Sequence, residues 1–178
     1  RLLRNDLKNK KSSGKSLYYL QSYLIVEESL NIIEYTNPRE YPVNIEFFEA
    51  GGPVASKYRY STHIRVFSKS DKIFLYYKEV RDFISNKPRL VVSNEKELSL
   101  EVYKEFLIDL LNLKVLEANR SFIPENSQIE KPNFFSLTLG ESVSVRFDYL
   151  ILNKDTVEFE PFEDIIQAMK NLLFSNLR

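Results

Sequence analysis

The sequence is poor in the residues that build cross-links and common metal sites. Its 178 residues include no cysteine and one histidine, His63. A disulfide framework and a thiolate metal site are therefore excluded. The chain also has no G-x-S-x-G segment that would supply a serine nucleophile for His63. These absences predict a protein with no assignable catalytic residue, metal ligand or cofactor.

Long apolar runs are missing as well. The purely apolar stretches are only a few residues long, as in YLIV at 23–26, whereas a membrane-spanning helix needs about 20 apolar residues. No secretory signal is visible. We therefore predict no membrane span and expect a soluble protein. A cysteine-free chain suits either redox environment, so the compartment stays open, and we favour the cytoplasm.

Apolar residues are nevertheless plentiful. Hydrophobic residues make up 43% of the chain and aromatic residues 13%, which is enough for a sizeable core. Residues 1–15 differ from the rest, because they carry six basic residues and one acidic residue. We predict a flexible basic arm over 1–15 and a single domain over 16–178.

The spacing of apolar residues predicts the elements of that domain. Helical spacing indicates helices from Ser16 to near Tyr35, over 98–113 and from Pro161 onward. Alternation indicates strands over 43–48, 54–66, 72–80, 134–139 and 142–152. Segment 81–97 is polar and irregular, and 117–133 is typical of a long loop. The pattern predicts an α+β fold: an antiparallel sheet of about five strands, with an N-terminal helix and two further helices packed on one face.

Two glycine segments raise the question of phosphate binding. Gly51-Gly52-Pro53 precedes a strand, whereas a phosphate-binding loop is followed by a helix, so we interpret this segment as a turn. Gly14-Lys15-Ser16 matches the end of a phosphate-binding loop. Asn9 stands where that motif requires its first glycine, and charged residues precede it instead of a hydrophobic strand. Neither segment indicates a nucleotide site.

One strand carries a row of basic side chains. In the alternating run from Val54 to Val66, one side of the strand collects four residues: Lys57, Arg59, His63 and Arg65. At about 3.4 Å per residue the row is roughly 27 Å long. It could contact an acidic protein or phosphates, or it could be the solvated face of an antiparallel sheet. We take these four residues as the candidate binding residues.

The leading hypothesis is a non-catalytic binding or accessory module whose partner is another protein. Outside the arm the first half of the chain is nearly neutral, since residues 16–90 hold ten basic and nine acidic residues. That balance favours a protein over a nucleic acid as the partner. The oligomeric state stays open.

Two alternative functions remain. The first is nucleic-acid binding through the basic arm and the strand over 57–65. The second is a metal-dependent enzyme that uses dispersed carboxylates, for which the chain offers an acidic run: Asp155, Glu158, Glu160, Glu163 and Asp164. This run lacks the spacing and glycine of a calcium loop. Acidic residues around a helix start also have a structural reason, because they complement the helix dipole.

Overall fold

The computed structural model describes residues 37–51, 59–82, 90–125 and 132–177. Within them the chain forms seven strands and two α-helices. The strands are β1 Val43–Ala50, β2 Arg59–Lys69, β3 Lys72–Asp82, β4 Leu90–Leu98, β5 Arg120–Ser121, β6 Asn133–Leu139 and β7 Val143–Tyr149. The helices are α1 Leu100–Asn112 and α2 Glu160–Asn176, with short 3-10 turns at Val115–Glu117, Ile151–Asp155 and Val157–Phe159.

The strands form one sheet with β1 at its centre. Their order is β4-β3-β2-β1-β6-β7-β5. Neighbouring strands are antiparallel except β5, which pairs in parallel with β7. Because β1 pairs with both β2 and β6, it joins the meander β2–β4 to the hairpin β6–β7.

The core lies between one face of the sheet and the two helices. Alternate residues of β1 are buried, beginning with Val43, Ile45 and Phe47. Their cross-strand partners are apolar too, since Phe47 lies opposite both Ile64 and Phe135. We call this helix-covered side the inner face and the opposite side the outer face. Burial of alternate positions explains why strand alternation is so clear in these segments.

Both helices confirm the periodic patterns that predicted them. The Ser99 hydroxyl caps α1 by accepting a hydrogen bond from the Val102 amide at 3.2 Å. Pro161 lies in the first turn of α2, where its missing N–H costs no helical hydrogen bond. The buried helical residues are Tyr103, Phe106, Leu107 and Leu110 in α1 and Ile165, Ile166, Met169, Leu172 and Leu173 in α2. In the described part of the chain, neither helix is long and apolar enough to cross a membrane.

The predicted sheet of about five antiparallel strands is wrong. The class is a mixed α+β fold, but the sheet has seven strands and includes one parallel pair. Both described helices come late in the chain, whereas the predicted N-terminal helix lies outside the described residues, as does the basic arm over 1–15.

The missed strands lack the signal on which strand prediction depends. β4 occupies the second part, from Leu90 onward, of the segment 81–97 that was expected to be irregular, and every one of its residues from 91 to 97 is exposed. Because neither face of β4 is buried along these residues, nothing requires apolar and polar residues to alternate there. β5 has only two residues and pairs with β7 across a long separation, as Arg120 lies opposite Phe147. A local pattern cannot show such a pairing.

The two ends of the sheet differ in their connections. Tight turns at Ser70 and Gly140 join β2 to β3 and β6 to β7 at one end. Gly140 has φ +56°, and a Cβ there would lie 3.1 Å from Tyr41 Cδ1, so glycine is required on two grounds. At the opposite end β1, β3 and β7 finish, and the longer connections begin. The predicted turn Gly51-Gly52-Pro53 begins there, but residues 52–58, which include the rest of that turn and the start of the strand predicted over 54–66, lie outside the described residues.

Ile166 provides a test of the assigned core. It is fully buried in α2, so Ile166→Ala should leave a cavity and lower the free energy of unfolding by about 2–5 kcal/mol. Gln167→Ala is the matched control, because Gln167 is exposed on the same helix and should change stability by less than about 0.5 kcal/mol. Urea denaturation measures both values. Equal, small effects would contradict the packing of α2 against the sheet.

Candidate functional site

The structure places two of the four predicted binding residues together on the outer face. His63 and Arg65 are alternate residues of β2, and both are half-buried. Arg59 begins β2, but its side chain lies outside the described residues, and so does the whole of Lys57. The alternation therefore identified one face correctly for His63 and Arg65. Their role in binding stays a prediction.

His63 has an acidic neighbour and aromatic neighbours. Its Nε2 lies 2.7 Å from Glu46 Oε1 on the adjacent strand β1. Its ring also makes edge-on contacts with Phe48 and Tyr76, at centroid distances of 6.2 and 5.6 Å. The predicted row of basic residues on β2 therefore has an acidic neighbour, Glu46, on the adjacent strand β1.

Two arginines on the outer face lie against aromatic rings. The Arg65 guanidinium lies 4.8 Å from the centre of the Phe67 ring, and Phe67 stacks on Phe74 at 5.8 Å. On the other side of β1, Arg146 lies 4.2 Å from the centre of the Phe134 ring. Such cation–π contacts hold a planar guanidinium flat against a ring while its edge stays available for further hydrogen bonds.

We call these side chains the outer-face cluster: Phe48, His63, Arg65, Phe67, Phe74, Tyr76, Phe134 and Arg146. All are half-buried except the exposed Arg146. The sequence did contain a signal for them. Each aromatic member lies at an outward position of its strand, out of phase with the buried series. The prediction used only the inward, buried series of each strand and therefore did not include these outward aromatic residues.

The two arginines of the cluster differ in whether a carboxylate neutralises their charge. Arg146 forms an ion pair with Asp148 at 2.7 Å. Arg65 instead donates to the side-chain oxygen of Asn44. Within the described residues no carboxylate forms an ion pair with Arg65, since Glu46, which lies opposite it in the register, bonds to His63.

A second polar group lies on the inner face, around Glu49 at the end of β1. Glu49 is 7% exposed and follows in phase after the buried Phe47. The Tyr149 hydroxyl donates to its carboxylate at 2.7 Å, and Lys154 forms an ion pair with it. The Tyr60 hydroxyl lies 3.4 Å away. We call these four residues the Glu49 cluster. An acidic residue in phase with Val43, Ile45 and Phe47 could have revealed it.

Burial and charge act in opposite directions on the titration of this cluster. Burial raises the pKa of Glu49, but hydrogen bonds from Lys154 and Tyr149 and the positive charges of Lys154 and Lys170 outweigh it, so the pKa lies below its ordinary 4.5. Burial and the Glu49 charge raise the pKa of Tyr149 far above its ordinary value. The carboxylate is therefore ionised and the phenol neutral at physiological pH.

The Glu49 cluster belongs to a polar row that crosses the inner face. The register aligns Glu79, Thr62, Glu49, Asn133 and Tyr149 across five neighbouring strands. In the adjacent row, the four residues from β2 to β7 are apolar: Ile64, Phe47, Phe135 and Phe147. Hydrogen bonds from Tyr77 and Arg81 likewise hold the pKa of Glu79 below its ordinary value. With both carboxylates ionised, neither suits the role of a general acid near neutral pH.

The acidic run of the second alternative does not assemble into a metal site. Within the described residues, no group of three or more aspartate, glutamate and histidine side chains could hold a metal ion. Two members of the run form ion pairs instead. Glu158 pairs with Arg120 at 2.8 Å, and Glu163 lies 3.6 Å from Lys154.

The Glu49 cluster predicts a specific pH dependence of stability. Because the folded-state pKa of Glu49 lies below 4.5, its stabilising contribution is complete above that pH. The contribution decreases as the pH falls below 4.5 and is lost once the pH passes the folded-state pKa. Glu49→Gln should lower the free energy of unfolding at pH 7 by about 3 kcal/mol, because Lys154 loses its buried partner. The variant should also lose less stability than the wild type on acidification.

Urea denaturation over a pH series measures both effects. Glu105→Gln is the matched control, since it removes one carboxylate from an exposed position of α1. If Glu49→Gln and Glu105→Gln gave the same stability at pH 7, the Glu49 cluster would contribute nothing to folding.

Comparison with known proteins adds no functional assignment. No protein-family model matches the chain, and no curated protein matches it either. The function of the outer-face cluster and of the Glu49 cluster must therefore be inferred from their own chemistry.

Proposed function

We propose that the protein is a non-catalytic binding module that contacts another protein through the outer-face cluster. The observation that carries this proposal is Arg65. Its guanidinium lies over Phe67 and is held by the neutral Asn44, without a carboxylate partner among the described residues. A partner surface that supplies a carboxylate and apolar groups would complete the contacts of Arg65 and cover the surrounding rings.

The composition of the cluster supports a protein partner. Aromatic residues and arginine are enriched in protein–protein interfaces and among the residues that dominate their affinity. Their mutual contacts reduce the side-chain entropy that binding would cost, because Phe48, for example, already stacks on Phe134 at a centroid distance of 6.0 Å.

A nucleic-acid partner fits this surface less well. Aromatic rings and arginines can stack on bases and contact phosphates. However, the outer face also carries Glu46, Glu95 and Asp148, which lie opposite cluster members in the register. These carboxylates would repel a phosphate backbone. An interface with both signs of charge is better matched by a protein, which can place either sign opposite each group.

Charge reversal on the outer face tests the proposal. The variant Arg65→Glu/Arg146→Glu should lose the partner that the wild-type protein captures from a nuclease-treated extract of its native cells. The matched control is Lys104→Glu/Lys114→Glu, which makes the same change in net charge at exposed positions on and just after α1. The control should capture the partner as the wild type does.

Circular dichroism and melting temperature establish that each variant is folded. Equal capture by the outer-face variant and the wild type would refute the assigned surface. Capture that occurs from an untreated extract but not from the nuclease-treated one would instead indicate a nucleic-acid partner, with an affinity that falls steeply with salt.

A further inference from the structure

Among the described residues, β4 forms an unpaired edge of the sheet. In the described part of the chain β4 pairs only with β3 and ends the strand order. Residues 91–97 are all exposed, so no described element covers this edge. A free edge presents a row of main-chain N–H and C=O groups that can pair with another strand.

Only half of this edge carries the charges that usually protect such strands. Glu95, Lys96 and Glu97 occupy its second half, whereas the first half, Leu90–Asn94, has no charged residue. Val91 is 52% exposed and Val92 is 39% exposed in that uncharged half. Natural proteins protect edge strands with charged residues, because uncharged edges associate. Here the first half is left unprotected.

An apolar side chain and an apolar pocket flank the uncharged half. The pocket has a volume of about 190 Å³ and lies between β4 and the end of α2. Its lining residues are Tyr77, Val92, Asn94, Leu173, Phe174 and Leu177. Phe174 is itself 57% exposed, so the same patch offers both a protruding ring and a recess. A surface of this kind can be complementary to itself.

We propose that β4 pairs with β4 of a second copy of this chain, antiparallel and about a two-fold axis near Val92. The two sheets would then become continuous, with both inner faces on the same side. The ends of the two α2 helices would meet beside the axis. Phe174 of each copy would cover the pocket of the other, which would remove both rings from water.

The charges of β4 disfavour a two-fold axis in its charged half, Glu95–Glu97, and so favour an axis in its uncharged half. A two-fold axis at Glu95 or Lys96 would place like charges opposite each other, which destabilises a strand pair. An axis at Val92 instead pairs Leu90 with Asn94 and Val91 with Ser93, and so pairs only uncharged residues. The Lys96 ammonium is meanwhile held away from the edge, since it donates to the main-chain oxygen of Asn176 at 2.6 Å.

Sedimentation velocity on the full chain tests this pairing. The wild type should form dimers, with a weight-average mass that rises with concentration toward twice that of the chain. Val92→Lys and Val92→Glu should each weaken dimerisation at least tenfold, because each places two like charges together at the axis. An equimolar mixture of the two variants should restore dimers, since Lys and Glu then lie opposite each other.

Ile108→Glu is the matched control, because Ile108 is 42% exposed on α1, away from β4. It should dimerise like the wild type. A wild type that stays monomeric over the whole concentration range would overturn the proposal, even if the edge accepted a strand from another protein. Dimers that persist unchanged in both Val92 variants would overturn it too, since the interface would lie elsewhere. Dimerisation through β4 does not depend on the outer-face cluster. The variant Arg65→Glu/Arg146→Glu should therefore still dimerise.

Discussion

The position of β1 at the centre of the sheet is the constraint on which the rest of the structure depends. Its two ladders, to β2 and to β6, connect segments that lie far apart in the chain. A shift of one residue in either ladder would turn every β1 side chain to the opposite face. Val43, Ile45 and Phe47 would then leave the core, and Asn44, Glu46 and Phe48 would enter it. The cost of that exchange specifies the register strongly.

The outer-face cluster and the Glu49 cluster both follow from that register. Outward residues of β1 hold the outer-face cluster, since Glu46 bonds to His63 and Asn44 bonds to Arg65. The next inward residue after the apolar series is Glu49, which organises the buried cluster. One strand thus supplies side-chain partners both for the proposed binding surface and for a buried ion pair. We infer that substitutions in β1 would affect stability and binding together.

The Glu49 cluster and the outer-face cluster differ in solvent exposure, and therefore in whether their charges need a partner. Glu49 is nearly excluded from solvent, so its charge must be compensated by Lys154 and by the Tyr149 hydroxyl. Arg65 is only half-buried and keeps access to solvent, so its charge does not need a carboxylate to compensate it. This difference is why the first cluster is interpreted as structural and the second as a binding surface.

Local pattern determined much of the fold and little of either site. The 3.6-residue period predicted α1 and α2, and alternation predicted the strands that correspond to β1, β2, β3, β6 and β7, because these elements bury one side. The last predicted strand ran to residue 152, whereas β7 ends at Tyr149 and a 3-10 turn follows at Ile151–Asp155. Alternation also placed His63 and Arg65 on one face. Tertiary structure alone decided that β4 is a strand, because its exposed residues carry no burial pattern. It alone brought Tyr149 to Glu49, 100 residues away, and gave His63 a carboxylate from another strand. Periodicity shows which side of an element faces the core, whereas strand order and register decide which residues meet there.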